Sequence, residues 1–101
     1  AIIASSDQKA LAALDAAREL GLVVPRDLSL ISFDNTPIVR FTDPPLTAVD
    51  QPIAETISRA VELIIRSRRD AAPDGVIDIE GTLEERGSTA PPPHLRRIKR
   101  A

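Results

Sequence analysis

The run Leu28 to Phe33 alternates too little between apolar and polar residues to have a wet face. It reads as a central strand of a parallel sheet, buried on both sides, which demands neighbours at both edges and helices over both faces. The preceding segment supplies part of that surrounding. Ala1 to Ala4 reads as a short buried strand ending at Ser5-Ser6, with Asp7 suited to accept a hydrogen bond as helix N-cap. Ala10, Leu11, Leu14, Ala17 and Leu20 then recur at three- and four-residue steps, predicting a helix that Gly21 ends by supplying a left-handed residue. Pro25-Arg26-Asp27 turns the chain into the central strand. Strand, helix and strand with a short return make the right-handed crossover unit of a parallel sheet, an α/β arrangement.

Asp34-Asn35-Thr36-Pro37 begins a loop, and Asp43-Pro44-Pro45 forbids helix before a short strand from Leu46 to Val49. The proline pair favours a structural role, because it fixes an extended approach and offers no donor; a cis bond there is left open by the sequence. Pro52 suits the first turn of a second helix running to about Arg69. That helix carries Ile53, Ile57, Ala60, Val61, Ile64 and Ile65 on one face and charge on the other. Asp70 to Gly75 reads as a polar turn. Ile77, Ile79, Gly81 and Leu83 then alternate with Asp78, Glu80, Thr82 and Glu84, predicting a strand with one wet face. From Ala90 onward, three prolines and a basic run carry no periodicity, so residues 90–101 read as a solvated, disordered tail.

At 101 residues, with two Phe as the only aromatic residues, the chain must build its core from Ala, Leu, Ile and Val. Such residues fill space well only when neighbouring layers are complete, so a larger parent is the natural source of those layers. There is no Cys and a single His, His94, which excludes thiol chemistry, disulfides and a His/Cys metal cluster, and fits a reducing compartment. No window approaches the ~20 consecutive apolar residues of a membrane span, and no basic segment precedes Ala1 to make a signal peptide. The net charge of −2 has the wrong sign for a nucleic-acid surface. Arg96, Arg97, Lys99 and Arg100 concentrate positive charge at the end and leave the body acidic, and without aromatic partners they give only weak, salt-sensitive attraction to phosphate.

Open parallel sheets bind ligands outside the carboxyl ends of their strands. Three segments place polar side chains there: Ser5, Ser6 and Asp7; Asp34 and Asn35; Asp50 and Gln51. A carboxylate and a carboxamide at such a mouth suit vicinal hydroxyls or a purine edge, because they offer paired acceptors, or an acceptor with donors. Structural readings stand beside each: Asp7 as an N-cap, Ser6 as a strand-end hydrogen bond, Asp34 as an Asx-turn residue. An enzyme would have to use Ser6, Asp7, Asp34 or Asp50. Nothing supports it further, for the sequence has no Gly-rich phosphate loop, no G-x-S-x-G elbow and no metal-ligand spacing.

From Val24 to Gln51 the chain reads VPRDLSLISFDNTPIVRFTDPPLTAVDQ. This closely resembles the signature of the LacI/GalR family of bacterial transcriptional regulators, V-P-x-D-[VIL]-[SA]-[VIL]-[VI]-G-[FY]-D-[DN] followed by P-P-L-T-T-[VI]-x-Q. Ser6-Asp7-Gln8-Lys9-Ala10-Leu11 resembles its [SN]-D-x-x-A-x-G helix opening, Leu20-Gly21-Leu22 its helix exit, and Leu83 to Thr89 its L-[VI]-x-R-x-S-T ending. Three residues depart: Ser32 stands where the family usually has Gly, Ala48 replaces the second Thr, and Ile57 falls where Gly is common. None of the three is at a position expected to touch ligand.

The resemblance implies a fragment of the periplasmic-binding-protein type I fold, with a parallel sheet and flanking helices. It implies the C-terminal part of an effector-binding sensor domain over residues 1–89, with 1–50 and 82–89 in one lobe and 52–81 in the other. By position Asp34 matches the family carboxylate that hydrogen-bonds effector, Ser6 the polar residue just before the Asp of the helix-opening motif, and Gln51 the amide at the inter-lobe crossover, and all three are expected to bind a small polar effector of the sugar or nucleobase type. Also implied are a cytoplasmic homodimer paired through the helix Gln8 to Leu20 and the loop Asn35 to Phe41, operator DNA bound only through an N-terminal helix-turn-helix absent from this chain, no cofactor, no metal and no membrane partner. A sugar-binding protein of an import system is the competing reading, and a signal peptide or helix-turn-helix upstream would tell the two apart.

Overall fold

The computed structural model describes residues 1–69 and 75–93. The basic run from Arg96 to Arg100 and the body of the polar turn Asp70 to Gly75 lie outside the described residues. Contacts divide the chain into two compact units, one formed by Ala1–Asp50 together with the segment from Thr82 onward, the other by Gln51–Gly81.

The first unit holds a four-stranded sheet in the order β1 (Ile2–Ile3), β2 (Leu30–Asp34), β3 (Thr47–Asp50), β4 (Thr82–Glu84). β1, β2 and β3 are parallel, and β4 joins β3 antiparallel with Val49 opposite Leu83. Helix α1 (Asp7–Glu19) connects β1 to β2 and packs on one face of the sheet. Ala10, Leu14 and Ala17 on α1 close over Leu30 and Ala48, with Val24, Val39 and Leu46 completing the core. Its exit follows the sequence reading: Gly21 takes φ 72°, its N–H bonds to Arg18 O at 3.0 Å, and Leu22 N–H reaches back to Ala17 O at 2.8 Å. These are the paired closing bonds of a Schellman end.

Burial on both sides of the central strand is reached on one face only. Leu30 and Ser32 are fully buried beneath α1, whereas Ile31 and Phe33, which alternate to the other face, are half-buried. Ile3 beside Ile31, Val49 beside Phe33 and Leu83 beside Val49 extend that second face with apolar side chains, Ile3 and Leu83 being exposed.

Several boundaries move. The strands are shorter at their starts than the apolar runs suggest, beginning at Ile2, Leu30 and Thr47. Pro37–Arg40 forms a single 3-10 turn within the loop, and the cis bonds are Asp43-Pro44 and Val24-Pro25 rather than Pro44-Pro45. The alternating stretch from Ile77 is extended strand only over Thr82–Glu84, where β3 provides a partner, because alternation without a neighbouring ladder does not make a strand. Ala90 is not free of the fold: its N–H donates to Ser29 Oγ at 3.0 Å, and Ser29 Oγ–H donates to Ala90 O at 3.2 Å.

The second unit contains helix α2 (Ile53–Ser67), with Pro52 at the cap position just ahead of the first turn. None of its residues is buried. Among the described residues, no helix is long and apolar enough to cross a membrane.

Candidate functional site

Ser6, not Asp7, caps α1. Its backbone is extended, and its hydroxyl accepts from Lys9 N–H at 3.3 Å. Asp7 is the first helical residue and only 5% exposed, so the sequence expectation is corrected by one position. What displaces Asp7 from the cap is a set of partners that local sequence does not show. Ser32 Oγ–H donates to Asp7 Oδ1, while Thr36 donates to Oδ2 from its N–H at 2.6 Å and from its hydroxyl at 2.5 Å. Burial alone would push this carboxyl up. The bonds from Ser32, from Thr36 and from the Asn35 backbone outweigh that and hold it below 3.8.

Asp34 ends β2 with φ 102°, and Asn35 follows with φ 58°. Most residues other than Gly avoid positive φ, at on the order of 1–3 kcal/mol, Asp and Asn tolerating it better than the rest, and observed instances cluster at ligand clamps and active sites. The sheet register sets Asp34 beside Asp50 at the carboxyl ends of their strands. Ser6 and Asp34 face a shallow cleft of about 340 Å3, also lined by Asp7, Gln8, Leu11, Thr36 and Ile38. Gln51 is exposed and opens the second unit, directly after Asp50 in the chain, and is not part of that lining. Two of the three sequence-selected residues thus share one cleft.

The turn is tied down from the far end of the chain. Arg86 donates from Nη2 to Asn35 Oδ1 and from Nη1 to Leu46 O, both at 2.7 Å, and its backbone N–H reaches Thr47 Oγ1 at 3.0 Å. Ser88 is fully buried between strands, donating to Leu30 O at 2.5 Å and accepting from Thr47 N–H at 2.8 Å. Among the described residues, every buried side-chain nitrogen and oxygen has a partner. The arrangement offers acceptors and a hydroxyl to a ligand, and among the described residues there is no cluster of three or more His, Cys, Asp or Glu to hold a metal ion.

A family model described as a periplasmic binding protein-like domain matches residues 1–89. The chain belongs to that family. More narrowly, it is part of a LacI/GalR-type regulator sensor domain. The transcriptional regulator MalR of Streptomyces coelicolor is 42% identical over 97 residues, which cover 95% of this chain and 28% of that protein. The regulator GalS of Salmonella typhimurium is 40% identical over 82 residues, covering 81% of this chain and 23% of that protein. Among solved structures, the lac repressor dimer bound to operator and the anti-inducer ONPF is similar with a TM-score of 0.78 at 29% identity, over 86% of this chain and 30% of that one. The regulator CcpA of Lactococcus lactis gives 0.76 at 29% identity, over 87% and 33%. These relatives are regulators rather than enzymes, and this chain spans less than a third of MalR's length.

Within this LacI/GalR-type segment, sequence reasoning passed over Ser32, Thr36, Arg86 and Ser88. A signal was present for two of them. Ser32 is a polar residue in a strand with no wet face, and such a residue needs a buried partner. Ser88 belongs to the R-x-S-T ending, but its partners lie 41 and 58 positions away.

Proposed function

We propose that this chain is the part of a regulator's sensor domain that contributes Ser6, Asp34 and Gln51 to a site for a small polar effector, with 1–50 and 82–89 belonging to one lobe and 52–81 to the other. The observation that carries the reading is Asp34, a carboxylate held in a left-handed conformation at a strand end beside Ser6 in a cleft. The division of contacts into two units supports the lobe assignment. The effector is a sugar or nucleobase-like molecule, whose hydroxyls or ring edge suit a carboxylate and a carboxamide; one structural relative is a complex of the regulator CelR with cellobiose and another carries bound ribose. Effector binding changes the angle between lobes and so the spacing of DNA-binding headpieces in a cytoplasmic homodimer, which links effector and operator affinity reciprocally. Exposed Ile38 and Phe41, on the loop expected to pair, support the dimer. The names of the relatives, all regulators, favour this over a transport protein.

Asp34→Ala removes charge-assisted hydrogen bonds worth about 1.5–3 kcal/mol, or roughly ten- to hundredfold in affinity. Calorimetric titration of the full-length protein with a panel of sugars and nucleobases, cellobiose and ribose included, measures this. An affinity that Asp34→Ala leaves unchanged refutes the site.

Operator contact belongs to a headpiece outside this chain. The 101-residue chain, with its acidic body, is therefore expected to show no tight DNA binding. Fluorescence anisotropy at physiological salt tests this, and nanomolar, sequence-specific binding would contradict it.

A further inference from the structure

Two consecutive left-handed residues that are not Gly, Asp34 and Asn35, persist only where their surroundings over-determine them. The fold supplies an anchor on each side of the turn. On one side, Thr36 gives both its N–H and its hydroxyl to Asp7 Oδ2. On the other, Arg86 holds Asn35 Oδ1 while its second guanidinium nitrogen and its backbone are fixed on Leu46 and Thr47. One anchor is at the start of α1, and the other, just past β4, is fixed on Leu46 and Thr47 at the start of β3. Ser32 adds a bond that the resembled family pattern lacks, because that pattern has Gly here and the Ser32 hydroxyl donates to the remaining Asp7 oxygen. Asp7 is nearly fully buried, with both oxygens engaged inside the protein, which leaves it an internal acceptor rather than a ligand contact.

We propose that Asp7 and Arg86 are positioning residues that clamp the Asp34–Asn35 turn from both sides, with Ser32 tightening the clamp, and so fix the Asp34 carboxylate at the cleft. The functional meaning rests on the reading of Asp34 as a ligand contact, whereas the clamp itself is measured without ligand.

Hydrogen exchange followed by mass spectrometry on the full-length protein separates the two. Thr36→Val is a surface substitution that keeps side-chain shape and removes one anchoring hydroxyl, and Ser32→Gly restores the family residue. Each is expected to speed exchange of the peptide from Phe33 to Phe41 about tenfold, the equivalent of one hydrogen bond, with α1 and β3 peptides accelerated less. Thr36→Ser, which keeps the hydroxyl, is expected to exchange like the parent protein. Arg86→Lys, unable to hold Asn35 and Leu46 together, is expected to speed the same peptide. Unchanged turn exchange in Thr36→Val and Ser32→Gly overturns the clamp. So does an equal acceleration of α1 and β3, which would mean that these bonds act on overall stability alone, with nothing specific to the turn. Asp34→Ala addresses the other reading: it removes the carboxylate, so unaltered sugar or nucleobase binding in that variant would refute the ligand contact, while the exchange of Thr36→Val and Ser32→Gly decides the clamp.

Discussion

The isolated 101-residue chain is expected to self-associate at micromolar concentration and to melt without a sharp cooperative transition. Three surfaces drive this. Helix α2 leaves Ile53, Ile57, Val61, Ile64 and Ile65 between 48% and 61% exposed, five large aliphatic side chains along one face. Full burial of such a side chain is worth ~1.5–3 kcal/mol, so about half of that is unrealised at each, roughly 4–8 kcal/mol in all. A typical domain has only ~5–15 kcal/mol of total stability. The second face of the sheet adds exposed Ile3 and Leu83, and among the described residues β1 has no strand on its outer edge, which is a template for strand addition. Light scattering coupled to size exclusion, with a thermal melt, reads the outcome. A monodisperse monomer with a sharp transition would show the chain to be self-sufficient, and the assignment of its segments to two incomplete lobes would have to be given up.

The order of elements was legible because it rests on short-range patterns. Helical spacing placed α1 and α2, Gly21 ended α1, and the prolines marked the approach to β3. Patterns of this kind fail where the deciding partner is distant. Ser6 and Asp7 are both good caps, and the choice between them is made by Ser32 and Thr36, 25 and 29 residues away. Ile77 and Ile79 alternate as a strand should, yet the ladder begins only at Thr82, where β3 is within reach. The candidate site divides the same way. Its residue types were visible in sequence, but the left-handed backbone of Asp34 and the bond from Arg86 to Asn35, 51 residues apart, belong to the folded chain alone.

Asp7→Ala in the full-length protein is expected to lower stability by about 3–7 kcal/mol. The fully buried Ser32 hydroxyl would lose the carboxylate acceptor it donates to, at about 1–3 kcal/mol, and the charge-assisted bonds from Thr36 would be replaced by water, at about 1.5–3 kcal/mol. Loss of an acidic side chain from the first turn of α1 removes a further ~0.3–1 kcal/mol of interaction with the helix dipole. Removing the orphaned donor as well, in Asp7→Ala with Ser32→Gly, should recover part of the loss, because two absent partners cost less than one left unpaired. The same carboxyl gives the protein an acid sensitivity of defined sign. Its pKa is lowered in the fold, so its contribution is fully present above the unfolded value near 3.8 and disappears as pH falls through the lower folded value. Denaturant melts of parent and Asp7→Ala proteins should therefore differ by a constant amount from pH 7 down to about 5, with the difference narrowing on further acidification. A gap between them that does not narrow in acid would mean that the ionised carboxylate is not what Ser32 and Thr36 hold.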